Sequence, residues 1–357
     1  MRCAITGIGT ANPALYVTQA EALAAYERLF KLTAAERALY RKVLCNGNIR
    51  GRFAGMKSTD EAAEDDQDRL IERFRIYGTD IAHAAAKKAL KSSGVCARDV
   101  GGLVVATCTG YLCPGLTSYL AGSLVLPRDV RPLDIVGMGC GAALPALRAA
   151  ADMLCASPAR PVLCVAVEIC TATLFMDPDP GVVVSNAIFG DGAAACVLQA
   201  SSAGTASRSL LELVDFSGVL LPEYRENLRY RTEKHRLRNV LTRQVPVLGA
   251  RAVAEAAEAL LKKYGLARGD ISHWIVHPGG TEVLAQVGKK MKLSREQLRH
   301  SYGVFEEFGN MSSPSVLFVL NRLLRDERPP LAGEKGMILS FGAGFTAFAG
   351  LVEFGAE

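Results

Sequence analysis

The chain has 357 residues, half of them hydrophobic and 22% charged, with 41 Lys and Arg against 36 Asp and Glu for a formal charge of +5. That length buries a substantial core in one large domain or two, and the composition excludes disordered, collagen-like and coiled-coil chains. The positive balance is spread out, which removes the case for nucleic acid, and the ten Cys form no CxxC pair and fall far below disulfide-scaffold density, so a reducing cytoplasm is expected.

The opening MRCAITGIGTANP has too short an apolar run for a secretory signal and reads as a first strand. Residues 62 to 93 place apolar side chains at helical spacing and stop at Gly94, a residue suited to the turn that ends a helix. A strand, GLVVAT, follows at 102 to 107. Residues 100 to 127 carry no charge, yet Pro114 and five Gly interrupt them, so a strand, a loop and a buried helix are expected rather than a membrane span. DIVGMGCGAAL then reads as a strand, a small-residue turn and a helix, with a further strand ending at Glu168. The loose SSAGTASRS at 201 to 209 is expected to be a hinge.

The second part repeats the first. At an offset of 171, ALKSSGVCARDVGGLVV (89 to 105) aligns without gaps with LLKKYGLARGDISHWIV (260 to 276), and both stretches carry a helix end, a Gly and a strand. The same offset sets GMGCGAALPALRAAADML (137 to 154) against FGNMSSPSVLFVLNRLLR (308 to 325), two small-residue turns that open helices. Each part closes on an apolar, Gly-rich segment, IFGDGAAACVLQ and MILSFGAGFTAFAGLVEF. Strands alternating with helices, twice over, predict two stacked α/β halves, residues 1–205 and 206–357, with the active centre near their junction.

Three residues can carry chemistry together. Cys140 lies at the mouth of a helix, between glycines that let a carbonyl approach its sulfur, and the helix N-terminus favours the thiolate. His277 ends the apolar run WIV before Pro-Gly-Gly, and Asn310 sits in the turn that mirrors the Cys140 turn. Singly, these read as a packed thiol, a structural imidazole and a helix cap; jointly they supply a nucleophile, its base and an amide donor for an oxyanion. A rival pattern, Gly137-x-Gly139-x-x-Ala142 between two strands, matches a dinucleotide-binding turn and would make the chain a nicotinamide-dependent oxidoreductase. The basic residues Arg41, Lys42, Arg50 and Arg52, ahead of a disordered-looking acidic stretch, suit either a solvated helix face or a phosphorylated ligand.

These residues resemble a known family, the type III polyketide synthases related to chalcone and stilbene synthase within the thiolase superfamily. The likeness runs over most of the chain and is carried by the Cys140 turn, VEICTATLF from Val167, IFGDGAAA from Ile188, HPGG from His277 and GNMSSPSVLFVL from Gly309. It implies a homodimeric thiolase-like fold, five-layered α/β/α/β/α, and a cytoplasmic acyltransferase that needs neither cofactor nor metal and does not bind a membrane. Cys140 would be acylated by an acyl-CoA starter and kept ionised by His277. His277 and Asn310 would hold the enolate formed as malonyl-CoA loses carbon dioxide, and the extended chain would cyclise to a pyrone, resorcinol or phloroglucinol-type product.

The resemblance makes Phe189 a gatekeeper between the CoA tunnel and the cavity, and puts Ser312 and the SFGAG loop glycines Gly342 and Gly344 at the pocket. Cys108 falls where a starter-pocket residue is expected, and Cys113 where a residue reaches the partner subunit's cavity. The second aromatic gate has only a loose counterpart at Asn239. The CoA-binding cations of the plant enzymes have no one-to-one match, which leaves Arg41, Lys42, Arg50 and Arg52 as regional candidates. Two further readings are a single-condensation ketoacyl synthase and a non-catalytic acyl-binding homologue.

Overall fold

The protein is described as a computed structural model over residues 2–201 and 209–355, so the expected hinge between Ser201 and Ser209, with the boundary at 205/206, lies outside the described residues. The strands are β1 Arg2–Ala11, β2 Leu15–Thr18, β3 Gly51–Ala54, β4 Gly102–Thr107, β5 Arg131–Val136, β6 Val162–Glu168, β7 Gly192–Ser201, β8 Leu211–Leu220, β9 Leu228–Glu233, β10 Arg236–Leu241, β11 His273–Val276, β12 Lys335–Gly342 and β13 Thr346–Phe354. The α-helices are α1 Gln19–Leu29, α2 Ala34–Leu44, α3 Gln67–Ser93, α4 Leu116–Ser123, α5 Ala143–Ala156, α6 Pro180–Ile188, α7 Val245–Tyr264, α8 Thr281–Met291, α9 Arg299–Phe308 and α10 Ser315–Leu324.

The halves share one strand order. In the first, β1-β7-β6-β4 is extended by β5; in the second the order is β8-β13-β12-β11. Directions match too: β4 and β6 are parallel, as are β11 and β12, and the remaining neighbours within each set of four are antiparallel. Among the described residues the halves pair edge to edge where Cys3–Ile5 of β1 meets Leu211–Leu213 of β8. The offset of 171 survives in detail, because Gly94 and Gly265 both cap their helices in the left-handed conformation, at φ 71° and 64°.

Layering follows from which faces are apolar. Helix α3 covers the outer face of the first sheet, where Ala82, Ala85, Ala86 and Ala89 are fully buried. A Cβ at Gly7 or Gly9 of β1 would collide with the carbonyl oxygens of Ala89 and Ala85, so this close approach requires glycine on the strand and alanine on the helix. Helix α7 covers the second sheet's outer face, while α5 and α10 pack on strands of both halves and form the middle layer. The acidic stretch before α3 is ordered, contrary to expectation: Asp66 accepts from the Asp68 and Arg69 amides as N-cap, and buried Arg73 donates to the Glu61 carbonyl at 2.8 Å. Among the described residues no helix is long and apolar enough to cross a membrane.

Candidate active site

The mirrored turns at the start of α5 and α10 meet in the middle layer. Cys140 sits in a 3₁₀ turn, Gly139–Gly141, whose shape rests on glycines at positive φ, 84° at Gly137 and 55° at Gly139. The dinucleotide-like glycine pattern therefore shapes a thiol-bearing turn. Gly342, at the end of β12, packs directly on it: a Cβ there would collide with the Met138 carbonyl and stand 2.5 Å from the Gly141 nitrogen and 3.1 Å from that of Cys140. Gly344, at φ 128°, shapes the loop between β12 and β13.

His277 follows β11, its amide donating to the Leu339 carbonyl at 2.8 Å, and its ring stands edge-on to Phe341 with centroids 6.4 Å apart. The ring is 2% exposed, and neither Nδ1 nor Nε2 has a hydrogen-bond partner among the described residues, a costly arrangement for a purely structural imidazole. Asn310 is fixed on both ends of its carboxamide: Nδ2 donates to the Gly279 carbonyl at 3.3 Å and Oδ1 accepts from the Ser312 amide at 2.8 Å. Its backbone bridges Phe189.

Cys140, His277, Asn310 and Phe189 all line one cavity of about 590 Å³. A second cavity, of about 60 Å³, shares Phe189 as a wall and is lined further in by Cys170, Thr173, Tyr230 and Asn239. There the Tyr230 and Thr173 hydroxyls are 3.1 Å apart and Ser185 donates to Asn239 Oδ1 at 3.1 Å, so this inner wall is polar.

Burial pushes the Cys140 thiol up to about 11; hydrogen bonds from Ser312 and Asn310 oppose the shift, and the Glu168 charge adds to it. Burial also pushes the His277 imidazole down to about 3. Each group by itself is thus held neutral at pH 7.

A buried carboxylate stands behind the nucleophile. Glu168, fully buried at the end of β6, accepts from the Cys108 and Thr109 amides at 2.9 and 3.1 Å and from the hydroxyls of Thr109 at 2.8 Å and Ser313 at 2.6 Å. Ser312 lies 3.4 Å from Glu168 Oε1 and also hydrogen-bonds the Cys140 thiol. Ser312 is thus a bridge behind Cys140, outside the residues lining either cavity. Cys108 is outside them as well, its Sγ contacting Glu168 at 3.2 Å and Ser312 at 3.4 Å. The sequence marked Glu168 only as a strand end, although a carboxylate closing a wholly apolar strand is itself a signal of a buried acceptor.

The basic candidates stand outside the cavity that holds Cys140. Arg52 is buried and committed, donating to Gln19 Oε1 at 3.0 Å and to the carbonyls of Asn186 and Phe189 at 2.7 Å each; it holds the Phe189 backbone and presents no charge to solvent. Arg41 pairs with Glu27 at 3.3 Å, and Arg50 with Glu306 at 2.9 Å. None of Arg41, Lys42, Arg50 and Arg52 lines the cavity that holds Cys140. Cys113 is exposed on a surface loop.

A buried thiol, an imidazole with both nitrogens open and an anchored carboxamide around one cavity, at the junction of two duplicated α/β halves, define a thiol-dependent acyl-condensing enzyme of the thiolase fold. Comparison with known proteins agrees. Residues 11–221 match the family described as FAE1/Type III polyketide synthase-like protein, and residues 212–354 match Chalcone and stilbene synthases, C-terminal domain. The chain is 34% identical to a 3,5-dihydroxyphenylacetyl-CoA synthase of Streptomyces toyocaensis, across 98% of this chain and 90% of the relative. It is 31% identical to a 1,3,6,8-tetrahydroxynaphthalene synthase of Streptomyces peucetius subsp. caesius, over 88% and 83%. The crystal structure of PKS-I from the brown alga Ectocarpus siliculosus superimposes with a TM-score of 0.88 at 28% identity, covering 99% of this chain and 98% of the other. The chain belongs to the type III polyketide synthases, transferases that extend a starter by decarboxylative Claisen condensation with malonyl-CoA and cyclise the product. The oxidoreductase and non-catalytic readings fall with that membership.

Proposed function

We propose that Cys140, His277 and Asn310 perform the condensation in this chain. The supporting observation is their convergence, with Phe189, on one cavity in which the His277 nitrogens are buried and open. The Cys140 proton passes to His277, the sulfur attacks the starter thioester, and CoA leaves as the thiol, taking the proton. Malonyl-CoA then enters; its carboxylate departs as carbon dioxide, and the electron pair moves into an enolate whose oxygen accepts from the His277 ring and the Asn310 amide. The enolate carbon attacks the acyl carbonyl, the new C–C bond forms, and the C–S bond to Cys140 breaks to return the thiolate. Repetition lengthens the chain before ring closure to a pyrone, resorcinol or phloroglucinol-type product. The Cys140→Ala variant tests this: it should form neither acyl-enzyme nor product, and retained condensation would overturn the assignment.

The active form in this reading is a homodimer. Edge strand β5 exposes Leu133 and Val136 at 36% and 53%, and Tyr111, on the loop that carries Cys113, is 72% exposed, an apolar margin suited to a second copy. Light scattering on the purified protein should give twice 38.1 kDa, and a monomer would refute this part.

A further inference from the structure

We propose that the basic end of helix α8, made by Lys289, Lys290, Lys292 and Arg295, docks an acidic carrier protein that brings an acyl group to the cavity as a thioester on a phosphopantetheine arm. The proposal rests on the condensing reading above and adds a protein-borne donor to it.

The patch is concentrated and unpaired. Residues 283–295, VLAQVGKKMKLSR, hold four cations and no Asp or Glu, and all four cationic residues are exposed. None of the four forms an ion pair among the described residues; the Arg295 guanidinium lies over the Tyr302 ring at 4.3 Å, and the next acid in sequence, Glu296, is taken by Arg299 at 3.4 Å. The basic hairpin of β9 and β10 differs, because Arg229, Arg231 and Arg238 there are held by Glu226, Glu233, Asp177 and Asp179. The way α8 ends is a second observation. Helices α3 and α7 close on Gly94 and Gly265 in the left-handed conformation, but α8 closes on Lys292 at φ 56°, which disfavours a residue with a side chain. A lysine in that place weakens the turn and adds a charge to the patch.

The helix itself ties the patch to the active cavity. Thr281, Glu282 and Val283, in the first turn of α8, line the cavity that holds Cys140, and the exposed stripe of the helix continues from Glu282 through Ala285 to Lys289 and Lys290. Glu282 and Lys289 are seven residues apart, about 10 Å at the helical rise. Glu282 accepts from Gln286 at 2.8 Å, so the positive charge is confined to the far end of α8. None of the four cations lines the cavity, so the negative charge they meet belongs to a body that stays outside while its acyl group goes in. The buried floor, with Cys140, His277 and Asn310 at 8%, 2% and 3% exposure, admits a slender thioester arm and not a folded domain. Charge of one sign gathered beside such a mouth steers an oppositely charged protein to it.

The test uses an acidic acyl carrier protein whose phosphopantetheine arm ends in an α-bromoamide. The Cys140 sulfur displaces bromide, a C–S bond forms as the C–Br bond breaks, and the thiol proton leaves to solvent; the joined pair is followed by gel shift and peptide mapping. Crosslinking to wild type should slow as salt is added and should fall about tenfold or more in the triple variant Lys289→Glu, Lys290→Glu, Lys292→Glu. A comparison variant, Lys87→Glu, Lys91→Glu, Arg98→Glu, makes the same charge change on exposed residues of α3 and the turn after it and should match wild type. Free pantetheine α-bromoamide, which has no protein attached, should label Cys140 at one rate in all three. An unchanged rate in the α8 variant, an equal loss in the comparison variant, no crosslink to wild type, or phosphatidylglycerol vesicles that displace the carrier protein from the patch would each overturn the proposal. Cys140 left unlabelled by the free probe would overturn the condensing reading and the proposal with it, whereas normal labelling by the free probe with any of those four results overturns docking alone.

Discussion

Replacing His277 by Leu removes the only proposed proton acceptor for Cys140 and keeps the volume and apolar character of the site. Burial then sets the thiol by itself at about 11. At pH 7 that corresponds to a thiolate fraction of about 10⁻⁴, against about 3% for an ordinary exposed thiol, a ratio of roughly 300. The chain supplies its own reference thiols, since Cys45, Cys96 and Cys155 are exposed. Iodoacetamide labelling followed residue by residue by peptide mass spectrometry should show Cys140 reacting faster than these references in wild type. In the variant it should react roughly 300-fold slower than they do and quicken about tenfold per pH unit between pH 7 and 9. Labelling of Cys140 in the variant that matches the exposed thiols and ignores pH would refute the reasoning, because another group would then be ionising the sulfur.

Asn310→Ala should lower malonyl-CoA decarboxylation by about 10²–10³-fold, the loss typical of one oxyanion donor, while Cys140 still accepts a starter acyl group in a mass-shift assay. Gly342→Ala forces a Cβ against the Met138 carbonyl beneath the Cys140 turn, so condensation should fall by about 100-fold with thermal unfolding still cooperative; near-wild-type rates would show that the turn is not seated on Gly342. His300, 7% exposed, is pushed by burial down to about 4 from its ordinary 6.5, so the unfolded chain binds its proton at higher pH than the fold does. Its share of stability is present at pH 7 and is lost as pH falls from 6.5 toward 4, amounting to about 2 kcal/mol by pH 5. The urea midpoint should therefore drop on acidification, and His300→Gln should lessen the drop.

Much of the frame was legible because the repeat is written in residues with strong local preferences. Gly94 and Gly265 stop equivalent helices, and the turns at Cys140 and Asn310 are both built from small residues before an apolar helix. The equivalence of β1 with β8 was not legible, because strands buried by different neighbours share only an apolar pattern, and pairing over three residues leaves no mark in sequence. That Cys140, His277 and Asn310 belong together was suggested by their flanking glycines and HPGG, and they do line one cavity, whereas the acceptor network at Glu168 draws on residues 107–109 and 312–313, far apart in the chain. Charge misled at Arg52: composition does not separate a buried guanidinium holding three acceptors from a solvated one.

The central claim, that Cys140 carries the growing chain, is tested most directly by intact-protein mass spectrometry after mixing with a panel of acyl-CoA starters, followed by peptide mapping and a malonyl-CoA chase. The account predicts an acyl mass on Cys140 that disappears during the chase as a larger, cyclised product appears. Product formation with Cys140 never labelled, or an acyl label on Cys140 that malonyl-CoA leaves in place, would contradict it.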